Sequence, residues 1–93
     1  MNANMGLNKR EITLIASANQ GNFSVKIAAV GGGLWGATIK IFNPENSYDV
    51  FTARGALKTW RDLGDAITFI QQACGDCKDV SISIGEWEFS RVV

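Results

Sequence analysis

The 93-residue sequence has no histidine, one tyrosine, one proline and two cysteines. Without histidine, the commonest acid–base side chain at neutral pH is missing. No Ser, Thr or Cys has an imidazole to activate it as a nucleophile. Two thiols fall short of the four ligands of a structural zinc site, so a metal centre would need a second copy. No apolar run exceeds a few residues, which excludes a membrane-spanning helix. There is also no net charge: nine Lys and Arg balance nine Asp and Glu, where a dedicated duplex-DNA binder carries a basic excess. The start, Met1-Asn2-Ala3-Asn4-Met5-Gly6, has no apolar leader core and no glycine at the second position for myristoylation. These absences favour a cytoplasmic, non-enzymatic protein with no cofactor and no membrane contact. The chain is 46% apolar and 19% charged, enough for one modest core. The expected organisation is a flexible tail over 1–8 and a single domain over 9–93.

The zero net charge hides an asymmetry. Residues 1–61 hold seven basic and three acidic side chains; residues 62–93 hold two basic and six acidic. A basic anion-binding face, complementary faces in an oligomer, and an unassigned solvated surface all fit this division.

Periodicity predicts four strands, a helix and a last strand. Glu11–Ala18 reads as a strand on Ile12, Leu14 and Ile15. Asn22–Val30 alternates strictly, with Phe23, Val25, Ile27 and Ala29 on one face. Gly31-Gly32-Gly33 reads as a hairpin loop, because it lacks the Lys-Ser/Thr and following helix of a phosphate loop. Leu34–Asn43 is the third strand, followed by an Asn43-Pro44-Glu45-Asn46 turn and a strand over Ser47–Arg54. Asp62 is the expected N-cap of a helix to Cys74, with Asp65 completing a capping-box-like start, Thr59 the alternative cap one turn earlier, and Gly75 following the end. Leu63, Ala66, Ile67, Ile70, Ala73 and Cys74 form its apolar stripe. Asp79–Ser90 reads as the final strand, with a reversal of phase at Gly85 that suggests a bulge or a strand that leaves one sheet for another environment. The expected fold is therefore α+β, a mainly antiparallel ββββαβ sheet with a four-strand meander and one helix packed on a face.

Two surfaces stand out. Lys26, Lys40, Arg54, Lys58 and Arg61, with Tyr48 and Trp60 as stacking platforms, form a candidate nucleic-acid surface, single-stranded DNA favoured. Val30, Phe42, Phe51, Trp87 and Phe89 are more apolar than a wet sheet face requires and form a candidate interface for a homodimer or another protein. Cys74-Gly75-Asp76-Cys77 is a CxxC, but it closes the predicted helix. Redox motifs open theirs, where the dipole lowers a thiol pKa. Packed, reduced cysteines are the simpler reading; a four-thiolate site shared by two chains is the alternative.

Thr52-Ala53-Arg54-Gly55, then Trp60-Arg61-Asp62-Leu63, Ala66, Phe69, Ile70 and Gly75, resemble small plasmid-borne partition-associated (ParC-type) proteins over roughly residues 45–80. Gly64 and the CxxC depart from that pattern. The resemblance implies a role in plasmid maintenance, with DNA or a partition protein as partner, and implies no catalytic residue. The ββββα order also resembles the Whirly and transcription-cofactor domains that bind single strands. The leading expectation is an oligomeric plasmid-associated accessory protein that binds nucleic acid. The alternative is an adaptor or inhibitor that acts through an apolar sheet face without nucleic acid.

Overall fold

The fold was analysed in a computed structural model that describes residues 5–42, 45–75, 77 and 79–91. Its elements are β1 (Met5–Leu7), α1 (Lys9–Ala18), β2 (Phe23–Gly31), β3 (Leu34–Ile41), β4 (Asn46–Val50), α2 (Leu63–Cys74), β5 (Val80–Ile84) and β6 (Trp87–Ser90). The class is α+β, but the expected one-helix ββββαβ meander is not what forms. There are two helices and one six-stranded mixed sheet, in the order β1-β4-β3-β2-β5-β6.

Three corrections account for the difference. The segment expected as the first strand is α1. Asn8 accepts a hydrogen bond from the Glu11 N–H at 3.0 Å, and Glu11 Oε1 accepts one from the Asn8 N–H at 2.9 Å. That reciprocal capping box satisfies two donors that a helix start otherwise leaves unpaired. Second, Met5–Leu7, inside the expected tail, pairs parallel with Tyr48–Val50 and forms one edge of the sheet. Third, the phase reversal at Gly85 is a tight turn rather than a bulge. Gly85 has φ +59°, and Ile84 faces Trp87 across it, so the last strand is a β5–β6 hairpin. The partial turn at Asn43-Pro44 lies outside the described residues.

The connections decide where the helices go. β2, β3 and β4 follow one another antiparallel, so β1, β2, β4 and β5 all point the same way. The β1–α1–β2 and β4–α2–β5 crossovers both step across the sheet in the same direction. Right-handed crossovers of that kind place both helices on the same face. The core is built there. Ile12 of α1 and Ala66, Ile70, Ala73 and Cys74 of α2 bury against Leu7, Phe23, Val25, Ile27, Ala37, Ile39, Ile41 and Val50 of the sheet. Thr13 Oγ1 joins the helices by donating to the Ala73 carbonyl at 2.9 Å, one of the α2 carbonyls that lacks a helical partner.

The other face has no helix over it. One row of cross-strand neighbours, Gly6–Asp49–Thr38–Lys26–Ser81–Ser90, spans all six strands. The adjacent rows hold Ser24, Lys40 and Ser47, then Ala28, Gly36, Ser83 and Glu88. Small and polar side chains are what a solvated sheet face carries.

Candidate functional site

The expected nucleic-acid residues are dispersed. Lys26 and Lys40 lie on the open sheet face, and Lys40 is held by Glu45 at 3.1 Å. Arg54 sits on the exposed loop between the Phe51–Leu57 bridge, and Arg61 just before α2. Lys58 points the other way, with its ammonium 5.4 Å from the ring centres of both Trp60 and Phe69. Neither aromatic platform is free. Trp60 is only 8% exposed, its backbone paired with Trp35 through hydrogen bonds of 2.7 and 2.9 Å. Tyr48 is half-buried and faces Ile39 on the helix side. The five basic residues thus fall on the open sheet face, an exposed loop, the segment just before α2 and the Trp60–Phe69 cluster, and form no single surface.

The expected apolar interface also divides. Val30 packs over Gly36, and Phe42 lies at the far end of β3, so these two are apart on the open side. Phe51 is half-buried and stacks over Gly6 at the β1 edge. Trp87 and Phe89 belong to the opposite face. The register Ile27–Ile82–Phe89 places them on the side that carries the helices. They are nevertheless 71% and 50% exposed, because α2 does not reach far enough to cover β6. Their rings stack with centroids 6.3 Å apart and planes 9° from parallel. Ile84, which sequence reasoning did not single out, extends the patch.

A groove of about 340 Å³ runs from this patch beneath α2, floored by Ile27, Ile67, Ile70, Val80, Ile82 and Phe89. Its far end is closed by Arg91, whose guanidinium donates to the carbonyls of Gly75 at 3.2 Å and Cys77 at 2.5 Å. A cation there complements the C-terminal end of α2.

β6 is also an edge strand. Residues flanking a two-residue turn exchange both ladder hydrogen bonds, so Trp87 and Phe89 direct their backbone groups to β5. The Arg91 N–H, in the same phase, donates to the Val80 carbonyl at 2.9 Å. Glu88 and Ser90 therefore turn their N–H and C=O groups outward. No lysine, proline or bulge within Trp87–Ser90 blunts this edge.

No family model, curated protein or solved structure matches the chain. The ParC-type resemblance therefore rests on its residues alone. Its Thr52-Ala53-Arg54-Gly55 run forms a loop, and its Trp60-Arg61-Asp62-Leu63 run leads into α2. The ββββα order behind the resemblance to single-strand-binding domains is replaced by a fold that opens β1-α1.

The two cysteines lie at the end of α2 and just beyond it. Cys74 and Cys77 are free and buried, 6% and 2% exposed, and both line the groove beneath α2. Burial foremost, then the neighbouring Cys77, pushes the Cys74 thiol up to about 12. Burial likewise raises Cys77. Among the described residues no group of three or more Cys, Asp or Glu side chains could hold a metal ion, and no polar or charged side chain is buried. No helix of the described residues is long and apolar enough to cross a membrane.

Proposed function

We propose that this protein is a non-enzymatic, cytoplasmic interaction module that assembles through β6 with a second copy of itself. The observation that carries this reading is an edge strand, free of lysine, proline and bulge, that holds a stacked, exposed Trp87–Phe89 pair. An exposed aromatic pair marks a protein contact, and free edge hydrogen-bonding groups set its geometry.

A second copy suits the edge because the strand is complementary to itself in one register. Antiparallel pairing centred on Phe89 sets Phe89 against Phe89 of the second copy, at a position where side chains approach closely. Glu88 then exchanges backbone bonds with Ser90 of the second copy, and the reverse, so no carboxylate faces a carboxylate. Centring the pair on Glu88 would oppose the two glutamates directly. The favoured register joins two sheets into one and covers both aromatic pairs. The nucleic-acid reading has less support, since the basic residues are scattered and Trp60 is buried.

Light scattering on the purified protein should give twice the 10.1 kDa chain mass. Phe89→Asp removes the central contact at an exposed site and should leave a folded monomer by circular dichroism. Glu88→Lys would set Lys against Ser90 of the second copy and should leave the dimer intact. A wild-type protein that stays monomeric at high micromolar concentration would sink the proposal. Tight, salt-dependent oligonucleotide binding that survives Phe89→Asp would return the weight to nucleic acid.

A further inference from the structure

A second surface, remote from β6, brings together residues that the sequence keeps far apart. The start of α1, the loop after β4 and the middle of α2 enclose an open groove of about 700 Å³. Lys9, Arg10 and Lys58 line it, with Leu14, Phe51 and Phe69 as apolar walls. The Lys9 ammonium lies 5.9 Å from the centre of the Phe69 ring, and that of Lys58 lies 5.4 Å from the same centre. Two ammonium groups thus converge on one ring. The nearest carboxylate on α1, that of Glu11, is taken by the Asn8 N–H. Among the described residues no ion pair joins Lys9, Arg10 or Lys58 to a carboxylate; the one ion pair there is Lys40–Glu45. Leu14, one turn beyond Arg10 on the same helix, is 63% exposed at the groove wall.

We infer that this groove binds a short acidic peptide segment that also carries an apolar side chain. Three uncompensated cations attract a negatively charged partner and set its approach. The apolar walls give that partner an anchor, and the volume lies in the range of roughly 300–1,000 Å³ typical of ligand sites. The same details disfavour a nucleic-acid strand. Base stacking needs a free ring face, and here Lys58 lies over Trp60 and Lys9 and Lys58 share Phe69. Lysine over an aromatic ring is itself stabilised by the ring quadrupole, so Lys9 and Lys58 are held in place before a ligand arrives, Lys9 also by donating to Gln72 Oε1 at 3.0 Å.

The test is fluorescence anisotropy with three labelled probes at low and moderate salt. The first is a capped peptide with a Leu-Phe pair flanked by glutamates. The second has glutamine in place of each glutamate. The third is single-stranded oligo(dT). The acidic peptide should bind, and more weakly as salt rises. The glutamine peptide should lose roughly tenfold or more in affinity, and oligo(dT) should bind no better than the glutamine peptide. Lys9→Glu with Arg10→Glu changes two exposed side chains outside the core and should cost the acidic peptide a similar factor. Lys26→Glu, on the open sheet face, should cost nothing. Amide shifts on titration should centre on Asn8–Thr13, Thr52–Ala53 and Lys58. The inference is overturned if the acidic peptide does not bind, if the glutamine peptide binds as tightly, if oligo(dT) binds more tightly, or if the double reversal leaves affinity unchanged while Lys26→Glu lowers it. Since Phe89→Asp leaves this groove untouched, the monomeric variant should still bind the acidic peptide, which separates this inference from the dimer proposal.

Discussion

At the residue scale, one glycine is fixed by what lies on it. A Cβ built at Gly6 would meet the Phe51 ring at 2.1 Å, far inside contact distance. The backbone there needs no positive φ; the constraint is space. Gly6→Ala should therefore cost about 1–3 kcal/mol, the usual range for overpacking, as β1 or the ring is displaced. Urea denaturation in two backgrounds identifies the cause. With Phe51→Ala already present, the same glycine substitution should be close to neutral. An equal cost in both backgrounds would show that the ring is not what excludes a side chain. The contact also shows that Phe51, expected to be part of an open apolar patch, packs over Gly6 of β1.

At the element scale, α1 rests on its cap. Ten residues make a marginal helix in isolation, and Lys9–Ala18 contains Ile12, Thr13 and Ile15, whose branching favours strands. Replacing Asn8 by Ala should lower stability by about 1 kcal/mol, whereas Asn8→Asp should keep the cap and suit the helix dipole. Equal midpoints for Asn8→Ala and wild type in chemical denaturation would remove the cap from the account. This helix also marks the limit of legibility. Ile12 and Leu14 fit a period of two, and Ile12, Ile15 and Ala16 fit a helical turn, so periodicity over so short a stretch decides nothing. The Asn8–Glu11 spacing was the available signal, and it outweighs the β-branched run. The strands β2 and β3 were legible because Phe23, Val25 and Ile27, and Ala37, Ile39 and Ile41, form dry rows at a period of two. Asp62 was legible as a cap because a clear helical stripe follows it. At Gly85 the sequence showed the change of phase but not its kind, since a bulge and a two-residue turn both reverse the faces. The candidate site was half visible for a related reason. Trp87 and Phe89 could be read as surplus apolar residues. Their face depends on the parallel pairing of β5 with β2, which no local pattern encodes. Lys9 and Lys58 meet at Phe69 only because α1 lies beside α2.

For the molecule as a whole, two crossovers of the same hand put every helix on one face and leave the two edges unlike. The β1 edge is three residues long, with the Phe51 ring over Gly6 on the sheet face; the β6 edge is four residues long and carries the exposed Trp87–Phe89 pair. Between these edges the core closes over Cys74 and Cys77, and their ionisation bears on global stability. In the unfolded chain a thiol ionises near 9.0, whereas burial holds the Cys74 thiol protonated to about 12. Below pH 9 both states keep the proton and the group contributes no pH dependence. Between about 9 and 12 the unfolded state releases a proton that the folded state retains, so stability falls as pH rises. The slope approaches about 1.4 kcal/mol per pH unit for one such thiol, and Cys77, raised in the same direction, adds to it. Denaturation midpoints at about pH 8 and about pH 10 should therefore diverge, and Cys74→Ala should reduce the divergence while costing some packing at every pH. Iodoacetamide should label the native thiols slowly near pH 8 and the urea-unfolded chain fast. Rapid labelling of the native protein, or an alkaline slope that Cys74→Ala leaves unchanged, would mean that Cys74 is more open than its place on the buried side of α2 implies. It would also reopen the CxxC as a reactive site.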